Sequence, residues 1–290
     1  MAAEPVGGML ATLGDLVEDV VVRLDGSVNV ASDTPASISR RRGGSAANVA
    51  VAAARLGHRS RFLGQVGTDA IGTALLSEMT DGGVDVAWVR RAGSTGTIVA
   101  LVDPTGERSM LTDRRTCVDL SDPDPAWLDD VDVLHVPLYS LASGAVAATT
   151  TTLIGWAHER NIDVSIDASS SAVLRDMGTA RVQGLLADLE PDVLLANRDE
   201  ALALDIDGAV GGCVTVVKAG ADPATVHFPN APAIEVPGIV VADVRDTTGA
   251  GDAFAAGFLT HLGGWRHDPV SACRSGHRCA AALLVSRATK

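Results

Sequence analysis

Residues 246–258 read Asp-Thr-Thr-Gly-Ala-Gly-Asp-Ala-Phe-Ala-Ala-Gly-Phe, a glycine-rich turn followed by an apolar helical pattern. Gly249 and Gly251 let the backbone approach a ligand closely, and the free N–H groups at a helix start favour an anion. Asp252 falls in the first helical turn, where an aspartate is also a common N-terminal cap. A cap does not need two preceding glycines, so the stretch favours an anion-binding turn.

Outside this stretch, short apolar runs alternate with helical patterns. Such runs are typical of strands buried on both faces, and the longer patterns are typical of covering helices. The alternation predicts an α/β fold whose largely parallel sheet is covered on both faces. The predicted strands are 9–13, 61–66, 131–136, 162–166, 193–196 and 214–217. The predicted helices are 46–56, 71–79, 145–159, 180–189, 250–261 and 270–286.

Two segments, 20–39 and 97–112, break this rhythm. They alternate polar and apolar residues, contain turn residues such as Asp25-Gly26, and lack helical patterns. Together they predict a small antiparallel sheet laid over one edge of the α/β core. Two interpretations of this sheet stay open: a mobile cover over a ligand site, or a surface hairpin with no role.

Charge and composition exclude several classes of protein. The chain has 290 residues, 47% of them hydrophobic, which is enough for a sizeable core. Lysine and arginine total 23 against 36 aspartate and glutamate, a net charge of −13, so no nucleic-acid partner is expected. The dense basic run at 40–42 is typical of a solvated loop. Because it directly precedes Gly43-Gly44, a contribution to anion binding stays open.

Cysteine usage and the longest uncharged stretch indicate a cytosolic protein with no membrane segment. Four cysteines have neither metal nor disulfide spacing, so we expect reduced, mostly buried thiols at Cys117, Cys213, Cys273 and Cys279. Residues 136–157 carry no formal charge, but Pro137, glycines and many hydroxyl side chains make a membrane-spanning helix unsuitable there. The first five residues lack the basic region of a signal peptide, and a cytoplasmic location is expected.

A second glycine-rich segment, 43–57, begins Gly-Gly-Ser-Ala-Ala-Asn and continues as an alanine-rich helical pattern. Its small residues predict close packing. Asn48 is the one polar side chain in the apolar run 46–54, and a buried asparagine needs hydrogen-bond partners. It either caps neighbouring backbone or holds a substrate hydroxyl.

A third segment, Asn-Arg-Asp-Glu at 197–200, follows a predicted strand. Asn197 and Glu200 have the spacing of a capping box. The alternative places Glu200 near a hydrated Mg²⁺, which needs only one or two protein carboxylates. Sequence signatures of P-loop sites, Rossmann dinucleotide sites, zinc proteases and serine hydrolases do not occur.

Together, the segments at 43–57 and 246–257 resemble those of the ribokinase-like (PfkB) carbohydrate kinases, and the resemblance extends over nearly the whole chain. It implies a three-layer α/β/α sandwich with a mostly parallel central sheet and a small β-sheet lid. It implies a single kinase domain over 1–290, with lid segments at about 16–43 and 94–115 inserted in the α/β core. The implied activity is ATP-dependent phosphorylation of a hydroxymethyl group of a sugar.

The resemblance also implies the roles of individual residues. Asp252 matches the catalytic base that takes a proton from the substrate hydroxyl, and 249–251 match the anion hole for the transferring phosphoryl group. The anion-hole residues are Gly249, Ala250 and Gly251. Asp19 matches the acidic residue that binds substrate hydroxyls, with Asp15 as a nearby second candidate, and Gly43, Gly44 and Asn48 match the sugar-contacting loop and helix start. The nucleotide contacts are Asn197, Lys218, Gly220, Thr247, Gly249 and Gly251, and Asn197 and Glu200 match the motif linked to Mg²⁺.

Several features depart from the family pattern or conflict with it. After Gly220 the chain continues Ala-Asp-Pro-Ala, where the family often has another glycine beside the nucleotide. Residues 167–171 lack the Asn/Arg pattern of several sugar-acid kinases. The sequence ends at Lys290, short of the loop that completes the family's monovalent-cation site, so a K⁺ requirement is left open. The helix dipole should lower the pKa of Asp252 and weaken it as a base.

Aromatic residues guide the choice of substrate, because nucleoside kinases usually stack the base on an aromatic ring. The predicted lid segments contain no Phe, Tyr or Trp, which favours a sugar over a nucleoside. Tyr139, the sole tyrosine, follows a predicted strand whose end should face the substrate; it either contacts the substrate or is a core tyrosine. A phosphorylated sugar needs a basic clamp, for which 40–42, Arg108, Arg114 and Arg115 are available.

Two other functions remain alternatives: a nucleoside kinase, and a non-catalytic sugar-binding protein on the same scaffold. The intact stretch 249–252 argues against the second. Apolar residues at 20–22 and 28–30 suggest a homodimer formed through the lid, although the same residues are also suited to packing on the core.

Overall fold

The computed structural model describes residues 8–244, 246–262 and 264–288. The strands are β1 Met9–Leu13, β2 Val17–Leu24, β3 Ala36–Gly43, β4 Arg59–Leu63, β5 Gln65–Val66, β6 Arg90–Arg91, β7 Gly96–Val102, β8 Arg108–Asp113, β9 Val131–Pro137, β10 Asp163–Asp167, β11 Val193–Asn197, β12 Val214–Lys218, β13 Ala224–Phe228 and β14 Ala231–Val236. The helices are α1 Ser45–Arg55, α2 Ala70–Asp81, α3 Ala145–Glu159, α4 Ser171–Met177, α5 Thr179–Leu189, α6 Arg198–Ala203, α7 Ala250–Leu259 and α8 Pro269–Ala288. The expectations about a targeting sequence at the N-terminus and about Lys290 concern residues outside these ranges.

The larger sheet forms the middle layer of the fold. Within the described ranges it has eight strands in the order β14-β13-β12-β11-β10-β9-β1-β4. The strands from β12 to β4 run parallel, and β13 and β14 add an antiparallel edge. Leu194 and Leu195 are both fully buried, yet they belong to the cores on opposite faces of the sheet. The predicted mostly parallel sheet is confirmed.

Helices cover both faces of this sheet. On one face α3, α4, α5 and α6 pack through side chains such as Leu153, Leu174 and Leu186. On the other face α1, α7 and α8 pack through Val49, Phe258 and Cys273, with their partners on the strands. These layers form the expected three-layer α/β/α sandwich.

The segments that broke the helical rhythm form a separate sheet of four strands in the part of the chain that is described, ordered β3-β2-β7-β8. The expectation that this sheet is antiparallel is wrong in part, because the central pair β2 and β7 is parallel while the two outer pairs are antiparallel. Each predicted segment folds back as its own hairpin, and the two hairpins then join side by side through their first strands. Val21, Ala100 and Val102 form a small core on one side of this sheet.

Several local predictions are corrected. The strand expected at 61–66 is two strands, because β5 leaves the large sheet and pairs with β6. Helix α4 and the strands β13 and β14 were not expected; the helix is short, and β14 is largely exposed. Cys117, Cys213 and Cys273 are buried free thiols and Cys279 is half-buried. No helix among the described residues is long and apolar enough to cross a membrane.

Candidate active site

A cavity of about 1020 Å³ opens between the small sheet and the carboxyl ends of the central strands. Five parallel strands, β1 and β9 to β12, deliver polar side chains to this edge, where ligands of open α/β sheets commonly bind. The predicted site residues on its wall are Asp15, Asp19, Gly44, Tyr139, Asn197, Glu200, Lys218, Gly220, Thr247, Ala250, Gly251 and Asp252. Gly43, Asn48 and Gly249 are not on the wall and lie directly behind it.

The turn at 246–252 begins helix α7 as predicted. Gly249 is the N-cap residue with φ 74°, a left-handed conformation that glycine adopts without strain. Ala250 and Gly251 follow as the first helical residues on the cavity wall. The Ala250 N–H donates to the Thr247 carbonyl at 3.1 Å, which closes the turn, whereas the Gly251 N–H precedes the first helical hydrogen bonds. The turn therefore presents the start of helix α7 to the cavity, with Gly251 as its backbone donor there.

Asp252 does not cap this helix. No side-chain cap hydrogen bond forms at the start of α7, so the capping alternative is wrong. Its carboxylate instead accepts hydrogen bonds from Ser45 Oγ at 2.7 Å and from Asn48 Nδ2 at 2.8 Å. Both donors come from the first turns of α1, which places the second glycine-rich segment against the first.

The expected lowering of the Asp252 pKa is also wrong. Burial raises the pKa of Asp252 above its ordinary value, and this outweighs the lowering by the hydrogen bonds from Ser45 and Asn48. Taking a carboxylate out of water destabilises its charged form. A raised pKa makes Asp252 a stronger base than a solvated aspartate.

Asp246, at the other end of the turn, lies among arginines from distant parts of the chain. Arg108 Nη2 lies 2.6 Å from Asp246 Oδ1, and Arg41 Nη1 lies 3.2 Å from Oδ2. Arg287 Nη1 lies 3.5 Å from Oδ2, and Arg108 and Arg287 also donate to the side chain and the carbonyl of Thr248. Burial alone would raise the pKa of Asp246, but hydrogen bonds from Thr248 and Arg108 outweigh it and hold that pKa below its ordinary value.

The two acidic residues after β1 occupy one end of the cavity. Asp15 accepts a bidentate pair of hydrogen bonds from Arg114, at 2.6 Å from Nε and 2.7 Å from Nη2. Gly44 has φ 101°, and a Cβ there would lie 2.0 Å from the Asp15 carbonyl oxygen, so only glycine fits. Asp19 lies against Gly43, and burial raises its pKa although Arg41 opposes the shift. The glycine pair thus lets the chain pass closely against the Asp19 carboxylate at Gly43 and against the Asp15 backbone at Gly44.

Tyr139 lines the cavity but its ring is partly covered. The Arg114 guanidinium lies 5.1 Å from the ring centroid, in cation–π contact. The pKa of its hydroxyl lies well above the ordinary value because of burial and the nearby Asp15. Tyr139 therefore borders the substrate end of the cavity and remains neutral there.

A buried charged group lies at the floor of the cavity. Lys218 Nζ lies 2.6 Å from Asp167 Oδ2, at the ends of β12 and β10. Burial lowers the pKa of Lys218, but the Asp167 and Glu200 carboxylates outweigh it and the pKa is raised. Lys218 also lies beside the anion-hole turn, because a Cβ on Gly251 would be 3.6 Å from Nζ.

The capping box predicted at 197–200 is confirmed. Asn197 Oδ1 accepts from the Glu200 backbone N–H at 2.9 Å, and Glu200 Oε2 accepts from the Asn197 N–H at 2.8 Å. Burial, with a contribution from Asp167, raises the pKa of Glu200 to about 7. A nearby cation would offset the destabilisation of this buried charge. No cluster of three or more His, Cys, Asp or Glu side chains suited to a metal ion occurs in the described ranges. A metal that keeps most of its waters needs only one or two protein carboxylates, and Glu200 supplies one on the cavity wall.

The far end of the cavity is apolar and was not anticipated from the sequence. Gly220 borders it, and its other wall is formed by Ile239, Val241, Val244, Ala280 and Leu284. His277 on α8 joins this wall with its Nε2 atom buried and unpaired. The residues 239–244 have no regular pattern, and α8 has no exposed polar motif, so only their folded positions reveal this role.

The cavity therefore joins an apolar end, an anion-binding turn with a buried carboxylate, and an acidic end under a small sheet. The sequence profile of the pfkB family carbohydrate kinases matches residues 8–290. This chain belongs to that family. The expected sugar kinase with a ribokinase-like fold is thereby confirmed.

Known relatives of this carbohydrate kinase act on different substrates. It is 36% identical over 251 residues to an ATP-dependent ribose-1-phosphate kinase of Halopiger xanaduensis, covering 83% of this chain and 80% of the relative. It is 30% identical over 291 residues to a fructokinase of Vibrio alginolyticus, covering 93% and 94%. The crystal structure of an adenosine kinase of Sinorhizobium meliloti superposes with a TM-score of 0.82 at 23% identity, covering 98% and 94%.

Proposed function

We propose that this carbohydrate kinase transfers the terminal phosphoryl group of ATP to a hydroxymethyl group of a sugar, with Asp252 as the base. One observation carries the proposal: the Asp252 carboxylate is held by two neutral donors at the mouth of the 249–251 turn, facing the cavity. A base and an anion hole on adjacent residues suit in-line transfer, because the same turn binds the phosphoryl group and aims the attacking hydroxyl.

The residues of the chain divide the work of the reaction. Each Asp252 oxygen accepts one protein hydrogen bond and has lone-pair capacity left for the substrate hydroxyl, whose proton moves to this carboxylate. The Gly251 backbone N–H, with the Lys218 ammonium beside it, stabilises the negative charge on the transferring group, while the Ala250 N–H holds the turn through Thr247. Asp15 and Asp19 accept hydrogen bonds from other sugar hydroxyls and so fix the orientation of the sugar.

ATP and Mg²⁺ fit the remaining parts of the cavity. The apolar wall at 239–244 and on α8 suits an adenine ring, and the buried Nε2 of His277 has no protein partner there. Asn197 and Glu200 would hold a hydrated Mg²⁺, which neutralises phosphate charge when bound. Lys218 and Thr247 lie between these regions and would contact the phosphates.

A neutral sugar suits the substrate end better than a nucleoside or a phosphosugar. The cavity side of the small sheet contributes Ile98, Met110 and Thr112, none of them aromatic, and the Tyr139 ring is already in contact with Arg114. The arginines available for a phosphate clamp are each paired with a carboxylate, namely Arg40, Arg41, Arg42, Arg108, Arg114 and Arg115. The similarity to a ribose-1-phosphate kinase makes the phosphosugar the second candidate.

The small sheet exposes apolar side chains on its outer side. Ile38 and Leu111 are 62% and 58% exposed, and Val30 in the β2–β3 turn is 92% exposed. This is the surface through which the proposed homodimer would form.

The test is ADP release from Mg-ATP with pentoses, hexoses, phosphosugars and nucleosides, each with and without K⁺. We expect turnover on a free sugar and a fall in kcat of about 10²- to 10⁴-fold in Asp252→Asn, the usual range for loss of a general base. Asp188→Asn, on the exposed face of α5, is the matched control and should behave as wild type. Full activity of Asp252→Asn contradicts the mechanism, and sugar binding without ADP release supports the non-catalytic alternative.

A further inference from the structure

Strand β3 ends in three consecutive arginines whose surroundings differ sharply. Arg40 has a 63% exposed side chain and pairs with Glu18 on the neighbouring strand. Arg41 points toward the cavity, where it meets Asp19 and Asp246. Arg42 points to the opposite side of the strand, as alternate residues do, and its side chain is only 9% exposed. A buried guanidinium at this place needs an explanation that the substrate contacts do not supply.

The buried Arg42 guanidinium is bonded at two edges. Its Nε lies 3.2 Å from Glu78 Oε1 on α2, and its Nη1 donates to Asn48 Oδ1 at 2.7 Å. The same Asn48 side chain donates from Nδ2 to Asp252 Oδ2 at 2.8 Å. A continuous chain of hydrogen bonds therefore runs from Glu78 through Arg42 and Asn48 to the carboxylate at the anion-hole turn.

The donor and acceptor chemistry of this chain fixes the orientation of the Asn48 amide. Arginine has only donors, so the atom of Asn48 that faces Arg42 must be the oxygen. The carboxylate of Asp252 has only acceptors when ionised, so the atom that faces it must be the nitrogen. If Arg42 were neutral and able to accept, the amide would be free to rotate by 180° and turn its oxygen toward Asp252, where two acceptors would repel.

We propose that Arg42 is a positioning residue that locks the Asn48 amide with its N–H toward Asp252 and so holds the Asp252 carboxylate in line with the acceptor hydroxyl. The inference rests on the proposed role of Asp252 as the base. Glu78 is half exposed and holds the outer edge of the guanidinium, so that one end of this chain reaches solvent and the other reaches the cavity. Arg42 is not among the residues that line the cavity and acts through Asn48.

A double-mutant cycle tests this dependence, because residues that act through one another give non-additive effects. Arg42→Gln is expected to lower kcat about tenfold and to leave the KM for ATP unchanged. In an Asn48→Ala background the same substitution is expected to change kcat less than twofold. Arg42→Lys keeps a donor-only side chain and should recover part of the loss, while Arg40→Gln should match wild type. Equal effects of Arg42→Gln in both backgrounds overturn the proposal.

A second measurement does not depend on turnover. The chain has five asparagines, so the Asn48 side-chain amide can be followed by NMR after ¹⁵N-asparagine labelling and assigned by its loss in Asn48→Ala. In wild type this amide should report the titration of Asp252, and in Arg42→Gln the midpoint should move to higher pH as Asp252 loses a fixed donor. An unchanged titration in Arg42→Gln overturns the proposal. Full activity of Asp252→Asn would instead overturn the role of Asp252 as the base, whichever way the amide titration comes out.

Discussion

Asp246 and Asp252 lie at the two ends of one turn, and the fold surrounds them in opposite ways. Asp246 accepts from guanidinium groups of the small sheet and of α8, and its pKa is held below the ordinary value although burial opposes this. Asp252 accepts from a hydroxyl and an amide, and burial raises its pKa. Two aspartates that are close in the sequence therefore have pKa values shifted in opposite directions by their surroundings in the fold.

The difference suits two different tasks. A carboxylate among arginines stays ionised and fixes the backbone around it, because each charge-assisted hydrogen bond constrains the turn. A buried carboxylate with neutral donors changes its protonation state more readily, which a base must do. Asp246 thus anchors the anion-hole turn to the small sheet, and Asp252 at its far end is left available for chemistry.

Of the variants that test this difference, removal of the Asp246 carboxylate should cause the largest loss of activity. Asp246→Asn deprives Arg41, Arg108 and Arg287 of their shared carboxylate and leaves the turn less constrained. We expect kcat to fall about 10- to 100-fold with Asp252 intact, as for displacement of reacting groups by about 1 Å. Steady-state kinetics on the substrate identified by ADP release measures this loss.

Asp243→Asn is the matched control, since Asp243 is an exposed aspartate on the approach to the same turn. It should retain the wild-type kcat. An Asp246→Asn enzyme with unchanged kcat would show that the turn keeps its shape without the arginines.

The difference between the two carboxylates could not be predicted from the sequence. The turn, the capping box at 197–200 and the strand–helix alternation depend on neighbouring residues, and all were predicted. The partners of Asp246 and Asp252 come from distant parts of the chain. Arg41 lies 205 positions from Asp246, and Ser45 lies 207 positions from Asp252. The helix start was the only influence on the Asp252 pKa that the sequence showed, whereas burial, which raises this pKa, depends on the whole fold.

Contacts between distant parts of the chain also explain why the strand pairing of the small sheet and the partners of Asn48 were not predicted. The alternation of polar and apolar residues predicted the strands of the small sheet. Which strands pair between the two hairpins depends on how these distant segments meet in the fold, so the parallel pair β2 and β7 was not predicted. Asn48 was expected to cap backbone or bind a hydroxyl. Its amide bridges Arg42 and Asp252, a contact that a one-dimensional pattern does not reveal.

The pH dependence of the rate is expected to show a smaller effect, and it tests the two carboxylates separately. Asp252 must be ionised to accept a proton, so the acid limb of kcat/KM should lie above the ordinary aspartate value of 3.8. Ser45→Ala removes a donor that lowers the Asp252 pKa, and we expect the limb to move to higher pH. Its activity at pH 5 should therefore fall by more than its activity at pH 8.

Thr248→Ala supplies the contrast, because Thr248 donates to Asp246 and not to Asp252. Whatever its effect on the rate, the acid limb should stay in the wild-type position. If the acid limb of kcat/KM moved in Thr248→Ala and not in Ser45→Ala, the titrating group would be Asp246 and not Asp252.

The smallest expected effect is on thermal stability, and its sign differs between the two carboxylates. Because the folded pKa of Asp252 is raised, its favourable contribution is present below the unfolded value of 3.8 and is lost as pH rises through the folded pKa. Asp252→Asn should therefore raise Tm at pH 7.5, by about 1–3 °C, and the gain should disappear in acid.

The folded pKa of Asp246 is lowered, so its contribution is present above 3.8 and lost as pH falls, and Asp246→Asn should lower Tm at pH 7.5. Differential scanning fluorimetry across pH 2–8 measures both, and a lower Tm for Asp252→Asn at pH 7.5 would mean that Asp252 is a stabilising anchor like Asp246.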